Sequence, residues 1–517
     1  MAQYSGDKYL PLSLSRGTGL SLHTQIAEQI RSLIVSGRLR AGDHLPSSRT
    51  LAHQLEVSRG TVVFAYEQLT GEGYLSSNRG GTRVSRTLLA HWPQDPAQPS
   101  GAGQEYLIPG PASVQVQQPE TSPPQGNFFD LRPGQPDTSL LASASWRAAW
   151  RTAVAAPLSS HPPAGSLALR SELAEHLRLI RATYRDPEEL LITAGAREGF
   201  RLLLTALRAR QRKRPLRVAV ENPGYPNLRK IPQTFGHQII PIPVDSCGLI
   251  PDCLPVGKDR PDLVLLAPNH QYPLGTSMPV SRRLDLLAWS AEQQVLLVED
   301  DYDSELRYRG DPLPTLAALD RSPLLSSQLV SGRQSQQGRV LTLGSFSKLL
   351  APGLKLGYLL APPQLAQELL DLRDTLGNPV PCLVQDALAH FLARGGLRSH
   401  TARMSRVYRR RRELVREALG QIPGVKLVLM EGGLHAMLIL PGQGGLTETC
   451  ALERAREVGV VLAPLSDYWS QESELSPGSP LGLEHSQGLV LGFGALKDQD
   501  LALALERLRF ILMRPSA

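Results

Sequence analysis

Apolar residues recur at Leu22, Ile26, Ile30, Leu33 and Ile34, a spacing that lays one stripe along a helix, and Gly37 ends it. A second helix opens at Leu45-Pro-Ser-Ser48. Ser47 or Ser48 would accept from its first-turn N–H groups, and Leu51, Ala52 and Leu55 would turn inward. Val57-Ser58 breaks the chain, and Ser58 caps a third helix with Val62, Val63, Tyr66 and Leu69 inward, closed by Gly71 and Gly73. Tyr74-Leu75 and Thr82-Arg83-Val84, around Asn78-Arg-Gly-Gly81, read as two short strands and a turn. The period then vanishes from Thr87 to Gly126, a stretch rich in Pro, Gln, Ser, Gly and Ala that cannot bury a core. From Phe128 short apolar runs return at Leu190–Thr193, Leu216–Val220, Leu263–Ala267, Val295–Val298 and Val340–Leu343, with helical stretches such as Glu198–Arg208 and Ser281–Glu292 between some of them. That alternation predicts an α/β domain with a mostly parallel sheet, whose ligand sits at the carboxyl ends of the strands. A smaller α/β part begins near Pro362, with a helix over Leu397–Leu419 and strands at Val425–Leu429 and Ala436–Leu440.

Three segments follow: a small helical module over 8–86, a tether over 87–126, and a large domain over 127–517. A length of 517 residues is itself too long for one core. Forty flexible residues span on the order of 35 Å, enough for the module to reach a partner subunit. Apolar residues at 41% and charged residues at 20% are those of an ordinary folded protein. No apolar run approaches membrane-spanning length, the start carries no apolar leader, and the four cysteines lack metal-ligand spacing, so a reducing cytoplasmic setting is expected. The net charge of +7 is uneven: Lys8 to Arg86 holds ten Lys/Arg against five Asp/Glu. A basic module ordered helix, helix, turn, helix, hairpin is a winged helix-turn-helix, and its expected partner is double-stranded DNA. The run Arg409–Arg412 reads as the solvated face of its helix, with a second DNA-facing patch as the alternative.

The chemistry centres on Leu341-Thr-Leu-Gly-Ser-Phe-Ser-Lys348, where one lysine stands among small hydroxyl residues just past a buried strand. Lysines mostly occupy polar helix faces, and one placed here can form an imine with a carbonyl cofactor. Ser345, three residues earlier, and Lys355, seven later, could hold a phosphate beside it. Thr193-Ala-Gly-Ala-Arg-Glu198 runs into a helix and offers backbone N–H groups to an anion, although such a turn is often only a tight turn. Glu221-Asn-Pro-Gly-Tyr225 and Asn269-His-Gln-Tyr-Pro273 follow two further strands, and His270 is a supporting candidate. Glu299-Asp-Asp-Tyr-Asp303 places acids after another strand. They could bind a metal or form a solvated acidic turn, but the lysine loop argues against a metal, and none is expected.

Gly42-Asp-His-Leu-Pro-Ser-Ser-Arg-Thr-Leu-Ala52, Val57-Ser-Arg-Gly-Thr-Val62 and Glu72-Gly-Tyr-Leu75 resemble GntR-type regulators. The resemblance implies DNA contacts by Arg49, Ser58, Arg59 and Thr61, with the wing glycines Gly80 and Gly81 at the minor groove. Gly60 replaces the usual asparagine and leaves the base preference open. The large domain resembles fold-type I aminotransferases. That implies pyridoxal 5'-phosphate held by Lys348 as a Schiff base. Gly195, Ala196, Arg197, Ser345, Ser347 and Lys355 would surround its phosphate, Tyr225 and Tyr272 its ring, Asp300 the pyridine nitrogen and Tyr302 the phenolic oxygen. Arg197 stands near a usual glutamine, and Lys355 in place of a usual arginine. The two halves together resemble MocR-group regulators, which implies a head-to-tail homodimer responding to pyridoxal phosphate or to an amine or amino-acid effector. An active aminotransferase is the alternative. Such enzymes fork an arginine onto the substrate carboxylate, and in Leu489-Val-Leu-Gly-Phe493 the matching slot holds Val490. That loss favours sensing over turnover. Asn227, where the γ-aminobutyrate-responsive type has an arginine, leans towards the PdxR branch, which controls vitamin B6 synthesis.

Overall fold

The computed structural model describes residues 9–15, 21–71, 74–78, 81–85, 128–157, 160–181, 183–211, 214–308, 313–321, 338–429, 431–441, 445–470 and 487–513. Gly80 and the tether expected over 87–126 lie outside them. Two compact units divide the chain, Met1–Glu120 and Thr121–Ala517.

In the first unit, α1 (Leu22–Val35), α2 (Ser48–Gln54) and α3 (Arg59–Gly71) precede the antiparallel pair β1 (Leu75–Asn78) and β2 (Gly81–Val84). The serines cap as their positions require. Ser47 Oγ accepts from Thr50 N–H at 3.1 Å, and Ser58 Oγ from Thr61 N–H at 3.2 Å. Ile26, Ile30, Leu51, Val62, Tyr66 and Leu69 share one core. Val63, expected inward, is only half-buried, because Ala65 takes the inner face of α3 instead. Tyr66 Oη donates to Pro46 carbonyl oxygen at 2.9 Å and ties α3 to the entry of α2. His44 bridges to Arg83 and widens the wing.

The second unit opens on β3 (Phe129–Asp130) and carries an eight-stranded sheet. Its strands are β4 (Leu190–Thr193), β5 (Arg217–Asn222), β6 (Gln238–Asp245), β7 (Gly248–Leu249), β8 (Leu263–Leu266), β9 (Leu296–Asp301), β10 (Val340–Ser345) and β11 (Gly357–Leu360). They lie in the order β4-β11-β10-β9-β8-β5-β6-β7. The run from β10 to β6 is parallel, while β11 and the edge strand β7 run against their neighbours. Apolar side chains cover both faces, as a sheet clothed by helices needs. Leu190, Ile192, Val264 and Leu297 serve one face. Leu191, Val218, Leu263 and Leu343 serve the other, against Phe200 and Leu203 of the helix Ala196–Arg210. The pattern did not reveal β6, which contains Pro241 and Pro243; β7 pairs only with its Val244 and Asp245, so the prolines fall where β6 has no strand on its outer side.

A second, antiparallel sheet joins β12 (Lys426–Leu429), β13 (His435–Ile439), β15 (Ala463–Pro464) and β16 (Gly488–Gly492) in the order β12-β13-β16-β15, while β14 (Val460–Val461) pairs with β3. The helix Gly396–Leu419 corrects the reading of the arginine run. Arg409 and Arg410 are exposed, but Arg411 and Arg412 are buried. Arg411 reaches Asp137 at 2.7 Å, Asp498 at 2.9 Å and the Gly494 carbonyl at 2.6 Å, because the i+3/i+4 face of this helix points at the core.

Candidate functional site

A cavity of about 600 Å³ lies at the carboxyl ends of β4, β9 and β10. Gly195, Ala196, Arg197, Tyr225, Tyr272, Asp300, Tyr302, Ser345, Ser347, Lys348 and Lys355 all line it. Each lies at or just beyond the carboxyl end of a strand, because the strand fixes the direction and the loop beyond it is free to carry polar groups. Adjacent β9 and β10 align Asp300 with Leu343, which brings the lysine loop beside the acids. Lys348 Nζ donates to the Gly134 carbonyl oxygen at 2.8 Å. Gly134 has φ of +91°, and a Cβ there would stand 2.1 Å from Nζ. This glycine was missed as a site residue. Its sole sequence signal is its place in Phe129-Asp-Leu-Arg-Pro-Gly-Gln-Pro-Asp137, and its role depends on a contact across more than two hundred residues.

Ring packing fixes the aromatic wall. Tyr225 and Tyr272 meet edge to face with centroids 5.5 Å apart, and Asn227 Nδ2 donates to Tyr225 Oη at 3.1 Å. Tyr272 Oη lies 3.4 Å from Tyr468 Oη. Tyr302 Oη donates to the His270 carbonyl at 2.7 Å, so it offers the cavity its lone pairs while that bond holds. His270 is buried, with Nδ1 at 2.9 Å from Asp303. Ser345 Oγ accepts from Ser347 N–H at 3.2 Å. Gly195, with φ of +86°, precedes the helix Ala196–Arg210, and no side chain caps it. Arg197 and Lys355 are exposed at the cavity rim. Arg201, which also lines the cavity one turn beyond Arg197, was not singled out, since an arginine on a polar helix face looks ordinary.

Electrostatics mark the same residues. Loss of solvent lowers the Lys348 amine from 10.5 to about 8. Asp303 and Asp300 oppose that, and Arg197 adds to it. Burial, then Asp301 and Asp303, raises Asp300 from 3.8 to about 8, against the pull of Lys348. Asp300 Oδ1 is buried without a hydrogen-bond partner, a costly state that a donor in the cavity would relieve. The Tyr272 and Tyr302 phenols are held protonated, chiefly by burial.

An amine close to neutrality, an uncapped helix N-terminus with hydroxyls and cations around it, and an orphaned carboxyl oxygen fit a phosphorylated pyridine aldehyde. The bound group would supply an electron sink in its protonated ring. Among the described residues no cluster of three or more His, Cys, Asp or Glu could hold a metal ion.

In the first unit, Arg49, Ser58, Arg59 and Gly81 are exposed and Thr61 is half-buried, while Gly80 lies outside the described residues. Arg59 Nε donates to Ser48 Oγ at 3.3 Å, which steadies it beside the start of α2. Ser58 caps α3 and Arg59 and Thr61 occupy its first turn, the part of such a helix that meets base edges.

Residues 22–84 match the bacterial regulatory proteins of the gntR family, and residues 131–468 match aminotransferase class I and II. The pyridoxine biosynthesis transcriptional regulator PdxR of Corynebacterium glutamicum is 42% identical over 95% of this chain and 96% of its own length. The probable rhizopine catabolism regulatory protein MocR of Rhizobium meliloti is 28% identical, covering 96% of this chain and 95% of its own. Among solved structures, an archaeal alanine:glyoxylate aminotransferase aligns with a TM-score of 0.64 at 23% identity over 75% of this chain and 91% of that one. LysN, the alpha-aminoadipate aminotransferase of Thermus thermophilus, aligns at 0.61 with 25% identity over 74% and 92%. A winged helix of gntR type ahead of a fold-type I aminotransferase domain, with regulators as full-length relatives, places this chain in the MocR group of transcriptional regulators.

Proposed function

We propose that this regulator binds pyridoxal 5'-phosphate at Lys348 and that occupancy of the site changes how its winged helices engage operator DNA. The observation that carries the reading is the cavity in which an amine near neutrality and the orphaned carboxyl of Asp300 face one another. Lys348 offers its amine to the aldehyde and Asp300 holds a proton on the ring nitrogen. The N-terminus of Ala196–Arg210, with Ser345, Ser347, Arg197 and Lys355, receives the phosphate. Tyr225 and Tyr272 wall the ring, and Tyr302 sits against its polar edge. Arg49, Ser58, Arg59 and Thr61 meet DNA in the first unit, with the wing at the minor groove. A cytoplasmic homodimer, joined head to tail, would present two such modules to one operator.

Similarity to PdxR favours control of vitamin B6 synthesis, with pyridoxal phosphate itself as effector. Asn227 is spent on Tyr225, and Val490 is buried in β16 opposite Met437, so neither supplies the guanidinium that an amino-acid carboxylate would need. An amine or amino acid remains the second class of effector to screen. The test is a gel-shift titration on the upstream DNA of the regulator's own gene, with and without pyridoxal phosphate, while absorbance follows uptake. A cofactor-dependent change in DNA affinity is expected. Uptake without any change would overturn the effector assignment, and transamination without DNA binding would restore the enzyme reading.

A further inference from the structure

Behind the large cavity lies a second one of about 30 Å³, bordered by Glu221, Gly224, Tyr225, Ala267, Tyr272 and Asp300 among others. Glu221 ends the apolar part of β5 and Asp300 lies on β9, with β8 between the two strands. Both carboxyls are buried, at 7% and 6% exposure. Glu221 Oε2 accepts from Ala267 N–H at 3.1 Å, but Oε1 is buried with no hydrogen-bond partner, and Asp300 Oδ1 is in the same condition. Neither orphan reaches the other directly. A buried water needs on the order of 10–15 Å³ and at least two polar partners. This cavity has the space, and the two orphaned oxygens belong to residues that border it.

We propose that Glu221 is a positioning residue that acts on Asp300 through one buried water in this cavity. The proposal rests on the cofactor reading above, in which Asp300 is the anion facing a protonated ring. Glu221 then stays neutral, because burial holds its carboxyl up at about 8 and Asp300 pushes in the same direction. With Oε2 accepting from Ala267, a proton on Oε1 donates to the water, and the water donates to Asp300. A carboxylate has about four acceptor positions, so this bond does not compete with one to the ring. The neighbouring charges are already engaged. Asp301 is held by Arg181 at 3.1 Å and by Ser304, and Asp303 by His270 at 2.9 Å. Arg229 is spent on the carbonyls of Asp467, Tyr468 and Trp469. The Gln271 amide nitrogen donates to those of Pro223 and Tyr272, and the same side chain, with Ala267 N–H, draws the Glu221 carboxyl down against burial. Lys348 faces Asp300 from the β10 loop, and the phenols of Tyr225, Tyr272 and Tyr302 complete the surround.

The pH dependence has a definite sign. An anionic Asp300 in the loaded site holds the Glu221 proton more firmly than a protonated Asp300 does in the free site. By linkage, Glu221 therefore contributes a loss of cofactor affinity as pH rises through about 8. Full-length wild type, Glu221→Gln and Glu221→Leu are titrated with pyridoxal phosphate by absorbance, with thermal unfolding to verify the fold. Glutamine keeps a donor but cannot ionise. Its affinity relative to wild type should rise severalfold between about pH 7 and about pH 9. Leucine removes the donor and should bind about tenfold more weakly throughout. A constant Gln-to-wild-type ratio, or leucine binding as tightly as glutamine, overturns the role of Glu221. Failure of the wild-type chain to take up pyridoxal phosphate overturns the cofactor reading, and this inference with it.

Discussion

Lys348 stands between opposing influences. Its surroundings strip solvent and Arg197 repels its proton, while Asp303 and Asp300 favour the charge. The balance lies at about 8, so the free amine becomes abundant some two pH units earlier than in an ordinary lysine. Pyridoxal phosphate capture, followed by stopped-flow absorbance, should therefore accelerate as pH rises through about 8 and level off above it. A rate still climbing towards 10.5 would show a solvated lysine. Lys348→Ala should abolish the visible band of the bound cofactor and leave the first unit folded, and an unchanged band would sink the lysine assignment. The type and position of this residue were legible in the sequence, since a lone lysine between hydroxyls after a strand has few structural uses. Its partner Gly134 was not, because a hydrogen bond to a distant carbonyl leaves no local pattern.

Elements decide where these residues point. The loop holding Gly134 touches the lysine from the side, and its left-handed backbone leaves no space for a side chain. Gly134→Ala should strain that backbone by about 1–2 kcal/mol and displace the flexible lysine tip. Slowed cofactor capture with little change in unfolding midpoint is the expected result. On α3 the first turn carries the candidate DNA contacts, and Ser58 caps it through Thr61. Arg59→Ala should weaken operator binding and reduce the slope of log K against log salt by about 1, without altering cofactor absorbance. Periodicity located α1–α3 to within a few residues, because each is an amphipathic helix with a serine cap or a glycine stop. It did not reveal β6, whose prolines hide an otherwise alternating strand.

Across the whole molecule, the helix Gly396–Leu419 connects distant segments. Arg411 joins Asp137, from the glycine-bearing loop region, to Asp498 at the start of the last helix. Arg411→Ala would strand Asp137, itself 5% exposed, as a buried carboxylate. It should cost about 3 kcal/mol or more, read as a lowered urea midpoint of the second unit. His435 adds a pH term. Burial, followed by the neighbouring His270, lowers its value from 6.5 to about 3. The folded state therefore binds fewer protons than the unfolded one in that interval, and its contribution to stability falls as pH drops from 6.5 towards 3.

Local pattern along the chain is enough to specify the winged helix, the alternation that makes a parallel sheet, and the loops after those strands that carry lysine, acids and tyrosines. These are local matters of period, caps and turn residues, and short stretches of chain record them. Packing in three dimensions settles which polar groups lack partners, which arginines of a four-residue run are buried, and which loop touches Lys348. Those outcomes depend on segments far apart in the chain that come together in the folded sheet. For that reason Asp300 could be named from its motif, whereas its link to Glu221 rests on two unpartnered oxygens of residues that border one small cavity.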